Sequence, residues 1–319
     1  MKFPKLLLTI FIAIIFYVNS YSQVSEQWTR YYNSPTNGND QVRDMVIDKS
    51  GNVYLTGISS TSTTGNDFAT VKYNSSGIEQ WTARFNSQAG FSDVPVSMAV
   101  DPTGNVYVTG HKGLGGSAGL INTVKYNSSG VQQWIARSGD SVYWASPGAV
   151  TLDNSGNIYV GGSIKTYQTD DGSYFLAKFN SDGDSIWKRT YDPSVYPQGF
   201  GSGITNLQVD GNFIYAAGKA YHTDGLFTVY TALTIIKYDL NGNAVWTHID
   251  SLINGSDEVV EMDIDLSGNI FVTCSYGLDI LIFKYNSSGV TDGRHHCPNP
   301  RSQAPGRSSP KKRGPAFLR

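Results

Sequence analysis

The chain has 319 residues, 39% hydrophobic and only 16% charged, with 34 Gly, 20 Tyr, 6 Trp and two Cys. The formal charge of −2 hides a split: residues 23–290 hold 15 basic against 25 acidic side chains, while 291–319 hold seven basic and one acidic. A body this acidic repels phosphate backbones, so no nucleic-acid partner is expected, and two Cys exclude a disulfide framework or a cysteine-rich metal site.

The N-terminus joins Lys2 and Lys5 to an apolar run, Leu6 to Val18, and then to Ser20 and Ser22 ahead of Gln23. That pattern predicts a secretory signal peptide over 1–22 and a secreted, periplasmic or cell-surface address. The run is short for a membrane span, so none is expected after cleavage. No Cys follows it to carry a lipid.

Trp28 comes next, then the first complete unit. Its predicted strands are a (Asp44–Asp48), b (Asn52–Gly57), c (Asp67–Asn74) and d (Ile78–Phe85). Each is rich in β-branched or aromatic residues and bounded by turn residues. The linking Asp-x-Ser-Gly-Asn and Asn-Ser-Ser-Gly phrases are tight turns in which Gly supplies a positive φ.

The unit then recurs. The b-strand phrase DKSGNVYLTG at Asp48 returns at Asp101, Asp153 and Asp265, with a variant, VDGNFIYAAG, at Val209. The c–d phrase KYNSSGIEQW at Lys72 returns at Lys125, Lys178 and Lys237, and breaks off after Lys284. Trp28, Trp81, Trp134, Trp187 and Trp246 are spaced by 53, 53, 53 and 59 residues; Trp144 is off this register. Four antiparallel strands per unit of about fifty residues predict the blades of a β-propeller. The fold class is therefore all-β, a β-propeller of four-stranded antiparallel blades, with five blades as written.

Pairing Tyr73 with Ile78 across the c–d turn sets Lys72 opposite Glu79 and makes Lys72 and Trp81 diagonal neighbours on one face. The repeated Lys72, Lys125, Lys178, Lys237 and Lys284 are then a structural Lys–Trp contact, part packing and part cation–π. The competing reading is a ring of cations around an anion. Repetition in every blade favours the scaffold.

The paired phrases resemble the SBBP-type β-propeller repeat of secreted bacterial proteins, over most of 28–290. The resemblance implies an exported propeller, often seven-bladed, of Bacteroidota type, sometimes with a C-terminal sorting domain. It implies no shared catalytic residues.

Two readings of the last unit stand. Trp28 precedes the first complete unit and the last lacks its d strand, so the Trp28 strand completes the final blade and closes a ring of five. Alternatively the propeller is truncated. Gly293 stands where a Trp is due, and 291–319 is a basic, Pro- and Arg-rich tail with no strand pattern, outside the native propeller. On that reading the ring has six or seven blades.

The a–b and c–d turns are near-constant and leave every blade at one end. The b–c and d–a loops leave at the other and vary, which is how rigid scaffolds carry binding. Tyr143, Trp144, Tyr196, Phe200, Tyr221 and His222 are the ligand-binding candidates there, suited to a glycan or a peptide. No nucleophile elbow, HExxH motif or phosphate loop is present, so no catalytic residue, metal or cofactor is assigned. Asp170-Asp171 and Asp182 with Asp184 are explained by turns, as are the Asn-x-Ser matches at Asn74, Asn127, Asn254 and Asn286. The leading function is a scaffold binding protein or glycan through its loop face. The alternatives are a hydrolase or lyase over the central channel, and a structural module of a longer exported protein.

Overall fold

A computed structural model describes residues 25–88, 91–113, 119–138, 143–166, 172–191, 202–223, 229–252, 259–276 and 279–297. Among these residues there are twenty strands in five four-stranded sheets and no helix. Blade 1 is β1 (Asp40–Ile47), β2 (Val53–Thr61), β3 (Gly65–Tyr73) and β4 (Glu79–Phe85). Blade 2 is β5 (Ser92–Val100), β6 (Val106–Gly113), β7 (Leu120–Tyr126) and β8 (Gln132–Ser138). Blade 3 is β9 (Tyr143–Leu152), β10 (Ile158–Thr166), β11 (Ser173–Phe179) and β12 (Ser185–Tyr191). Blade 4 is β13 (Gly203–Asp210), β14 (Phe213–Thr223), β15 (Val229–Asp239) and β16 (Ala244–Leu252). Blade 5 is β17 (Val259–Ile264), β18 (Ile270–Tyr276), β19 (Asp279–Tyr285) and β20 (Thr291–Cys297). Within each blade the order is a-b-c-d and every pairing is antiparallel.

The central strands lack a polar face because both faces are covered. In β3 the run Asp67 to Val71 is buried at every position, as expected for a strand packed between layers. Four apolar cores lie between consecutive blades. Tyr54, Phe68 and Phe85 of blade 1 meet Met98, Val106, Val108 and Val124 of blade 2. The same arrangement joins blades 2 and 3, 3 and 4, and 4 and 5. No such core joins blade 5 to blade 1 among the described residues, and the sheets do not close into a ring.

The turn phrases fold as five-residue knots. In the a–b turn of blade 1, Asp48 Oδ1 accepts from the backbone N–H of Ser50 and Asn52, both at 2.9 Å. Its Oδ2 accepts from Asn52 Nδ2 at 2.8 Å and Tyr54 OH at 3.1 Å. Asp101 and Asp153 repeat the knot, down to the Tyr107 and Tyr159 hydroxyls. In the c–d turn Asn74 Oδ1 plays the same part for Ser76 and Ile78, as Asn127 and Asn286 do in theirs. These Asn residues are turn residues, as their spacing predicts; Asn254 lies outside the described residues. The variant phrase at Val209 forms a shorter hairpin, Asp210 pairing with Phe213.

Two expectations are corrected. Tyr73 pairs with Glu79, not Ile78, and Lys72 sits directly opposite Trp81. The five-residue turn, closed by Asn74 N–H to Ile78 O at 2.9 Å, leaves a bulge between Lys72 and Tyr73 that shifts the register by one. The Trp28 segment, for its part, is not a strand of the last blade. Residues 25–39 form no strand, and the outer strand of blade 5 is β20, the first seven residues of the basic tail. The Trp-for-Gly position is as expected: Gly293 stands opposite Lys284 where the other blades place Trp.

Candidate functional site

The repeated Lys and Trp form a latch between blades. Trp134 Nε1 donates to Ser181 O of the next blade at 3.0 Å, and Lys125 Nζ donates to that same oxygen at 2.9 Å. Trp187 and Lys178 converge on Leu240 O, and Trp246 and Lys237 on Ser287 O. Trp81 donates to Ser128 O at 3.0 Å. Each indole lies flat on the turn glycine of the following blade. At Gly130, φ is +79°, and a Cβ would stand 2.6 Å from the Trp81 ring. The lysines also lie over the aromatic of the b strand: Lys72 Nζ is 5.0 Å from the Tyr54 centroid and Lys178 Nζ 5.2 Å from Tyr159. Lys125 is within 6.0 Å of Trp134 as well. The expected cation–π partner was the Trp; the main one is the b-strand Tyr, whose recurrence in the NVYLTG phrase carries the signal. Lys125, Lys178 and Lys237 are thus engaged between a b-strand aromatic and a carbonyl of the next blade.

The opposite rim, where b–c and d–a connections leave, differs in every blade. At the first two blades it carries a polar seam. Arg84, three residues after Trp81, reaches Asp67 Oδ2 at 2.9 Å, Ser59 Oγ at 2.6 Å and Tyr32 OH at 3.2 Å. Thr64 Oγ1 donates to the same Asp67 oxygen. Asp93, fully buried, accepts from Ser87 N–H and Ser87 Oγ, both at 2.7 Å. Burial pushes its carboxyl up, against the Ser87 hydrogen bonds, and the Asp67 charge adds to the rise. His111 is pushed down by burial, with the Arg43 charge adding and Asp93 opposing. Along the seam Asp67 Oδ1, Asn86 Oδ1, His111 Nδ1 and both amide atoms of Asn122 are buried without a partner among the described residues. Buried polar atoms of this kind are ordinarily satisfied by water or a ligand.

The candidate residues on this rim are only partly brought together. Tyr143 and Trp144 open β9 opposite Thr166 and Lys165. Tyr221 and His222 lie near the end of β14 opposite Thr231 and Tyr230. Their backbones sit at the expected end of blades 3 and 4, but their side chains, with Tyr196 and Phe200, lie outside the described residues. Asp170-Asp171 also lies outside them. Asp182 and Asp184 are c–d turn residues, Asp184 accepting from Asn180 Nδ2. The Arg84, Asp67, Asp93, His111 and Asn122 seam was not foreseen: Arg84 and Asp93 recur 53 residues away as Arg137 and Asp40, but Asp67, His111 and Asn122 have no such counterparts. Among the described residues no cluster of three His, Cys, Asp or Glu is placed to hold a metal, and no helix is long and apolar enough to cross a membrane.

No curated protein matches the chain. Among solved structures it is similar to a protein of unknown function from Bacteroides caccae, with 11% identity over 81% of this chain and 82% of that one, at TM-score 0.44. It is similar to a GH43 endo-arabinanase from Bacillus licheniformis, with 14% identity over 82% and 99%, at TM-score 0.42. It is also similar to a PL25 ulvan lyase, with 12% identity over 81% and 63%, at TM-score 0.49. Likenesses of this size carry no argument about activity. The SBBP β-propeller repeat family matches residues 27–69 and 80–111. The same turn knots and Trp latches run on through the later sheets, beyond the stretch that the family model matches.

Proposed function

We propose that the chain is a secreted or cell-surface scaffold that binds a protein or a glycan through the rim carrying its b–c and d–a connections. The observation that supports it is the contrast between the two rims. One repeats the same self-satisfied Asp and Asn knots; the other differs in each blade and at the first two blades carries the polar seam of Arg84, Asp67, Asp93 and Ser87. Tyr143, Trp144, Tyr221 and His222, whose backbones lie at this rim, are residue types of the kind that sugar and peptide sites use. The test is binding of the purified chain to glycan and protein arrays, followed by Trp144→Ala, His222→Ala and Asn122→Ala. Specific binding, weakened at least tenfold by a rim change with folding intact, is the expected result. Absence of binding overturns the proposal, and so does polysaccharide turnover lost on His222→Ala, which would make the protein an enzyme.

A further inference from the structure

Repeat arithmetic compares one position in two environments. Met98 of blade 2 faces blade 1 and is 4% exposed; Met45, its counterpart 53 residues earlier, is 55% exposed. Ile47 is 59% exposed, while Val106 and Val108 are fully buried where Val53 and Leu55 of blade 1 are only half-buried. Blade 1 therefore has a blade-receiving face with no blade on it. A cleft of about 210 Å³ opens there, lined by Tyr31, Tyr32, Val42, Leu55, Ile58 and Val71 among others.

Blade 5 shows the complementary defect. The position five residues before the c-strand aromatic is buried in blades 1 to 4, as Phe68, Ile121, Tyr174 and Leu233, but Ile280 of blade 5 is 55% exposed. Its blade-giving face is also uncovered. Apolar surface of this extent on both end faces marks contact sites.

The latch distinguishes what fits. In the other interfaces the receiving blade's turn glycine takes a Trp from the giving blade. On blade 1 that socket is already filled. Trp28 lies on Gly77, with its Nε1 3.2 Å from Ser75 O and its ring 6.1 Å from Tyr73. A giving blade with its own Trp would collide with Trp28. Blade 5 is the one blade of this chain whose outer strand offers Gly293 at that place. Glu261 of blade 5 also follows its a-strand bulge as Asp44 follows that of blade 1. Asp44 Oδ2 accepts the Met98 N–H of the next blade at 2.7 Å, so Glu261 is placed to accept from the a strand of a receiving blade.

We propose that the open face of blade 1 receives blade 5 of a second copy of this chain, head to tail. This pairing requires the two faces to stay apart within one molecule, where no core joins them among the described residues. The contact is heterologous and continues the repeated interface already used four times.

The experiment is sedimentation velocity of the full chain across a wide concentration range, with Met45→Asp, Ile280→Asp and their equimolar mixture. Both residues are exposed, so each variant folds, which circular dichroism and the melting temperature check. The wild type is expected to grow in mass with concentration. Each variant alone is expected to stay monomeric, since every contact would use one damaged face. The mixture is expected to stop at twice the monomer mass, joined through the intact face 5 of M45D and the intact face 1 of I280D. A wild type that stays monomeric, whether its ring closes on itself or its faces stay bare, overturns the proposal. So does a mixture that fails to pair, or one that grows past the dimer.

Discussion

Gly130→Ala isolates the latch. Two costs act there. The left-handed φ of +79° costs an alanine about 1–2 kcal/mol. The added methyl, 2.6 Å from Trp81, must displace an indole that is also held by its bond to Ser128 O, costing about 1–3 kcal/mol more as overpacking. Gly156 is the matched control: φ is +78° and a Cβ there meets nothing within 4 Å, so Gly156→Ala incurs only the backbone cost. Urea denaturation followed by tryptophan fluorescence measures both. The expected result is a Gly130→Ala loss exceeding that of Gly156→Ala by about 1–3 kcal/mol, or about 2–4 °C in Tm per kcal/mol for a domain of this order. In a Trp81→Leu background the excess shrinks, because the displaced ring is gone. Equal losses for the two alanines, or an excess that survives Trp81→Leu, would refute the latch as a packing device.

Trp134→Ala removes a half-buried indole and its bond to Ser181 O, and is expected to cost about 2–4 kcal/mol by chemical denaturation, below the range for a fully buried Trp only in part. Asp101→Asn puts an amide NH2 donor in place of one of the carboxylate oxygens that accept from Thr103, Asn105 and Tyr107; a loss of about 1–3 kcal/mol is expected from melting curves. Stability should also fall in acid. In Asp48, Asp101 and Asp153 burial would raise the carboxyl, but hydrogen bonds from the knot outweigh it and hold it low; in Asp239 and Asp265 the Asn243 and Asn269 hydrogen bonds lead. Folded pKa values below the unfolded one give stability that is complete above about pH 4 and lost as pH falls through the folded values. His111, held low by burial, adds a loss that starts as pH drops below about 6.5, whereas Asp93, held high, works in the opposite sense. Tm against pH checks the balance: a Tm that holds steady from pH 6 down to about 2 would contradict it.

The sequence by itself determined the local chemistry. Alternating β-branched and aromatic runs set the strands, and Asp or Asn followed by Gly set the turns, because these signals act within five to ten residues. The 53-residue spacing set the blades, and the nine-residue Lys-to-Trp offset located Gly293 at the Trp position. It also placed Tyr143, Trp144, Tyr221 and His222 at the variable rim, since antiparallel connectivity alone sorts loop ends. Tertiary structure decided what depends on a neighbouring blade. The bulge beside Tyr73 came from a hydrogen-bonded turn one residue longer than the simplest pairing. The lysines found b-strand tyrosines and a carbonyl of the next blade, contacts that pairing within one hairpin does not reveal. Trp28 went to the turn of blade 1 because its socket is made by Gly77 and Tyr73, while β20 paired with β19 through backbone groups that any sequence supplies. In the seam, Arg84 and Asp93 recur at the 53-residue spacing as Arg137 and Asp40, but Asp67 and His111 do not, so the packing of blade 1 on blade 2 is what brings the four together.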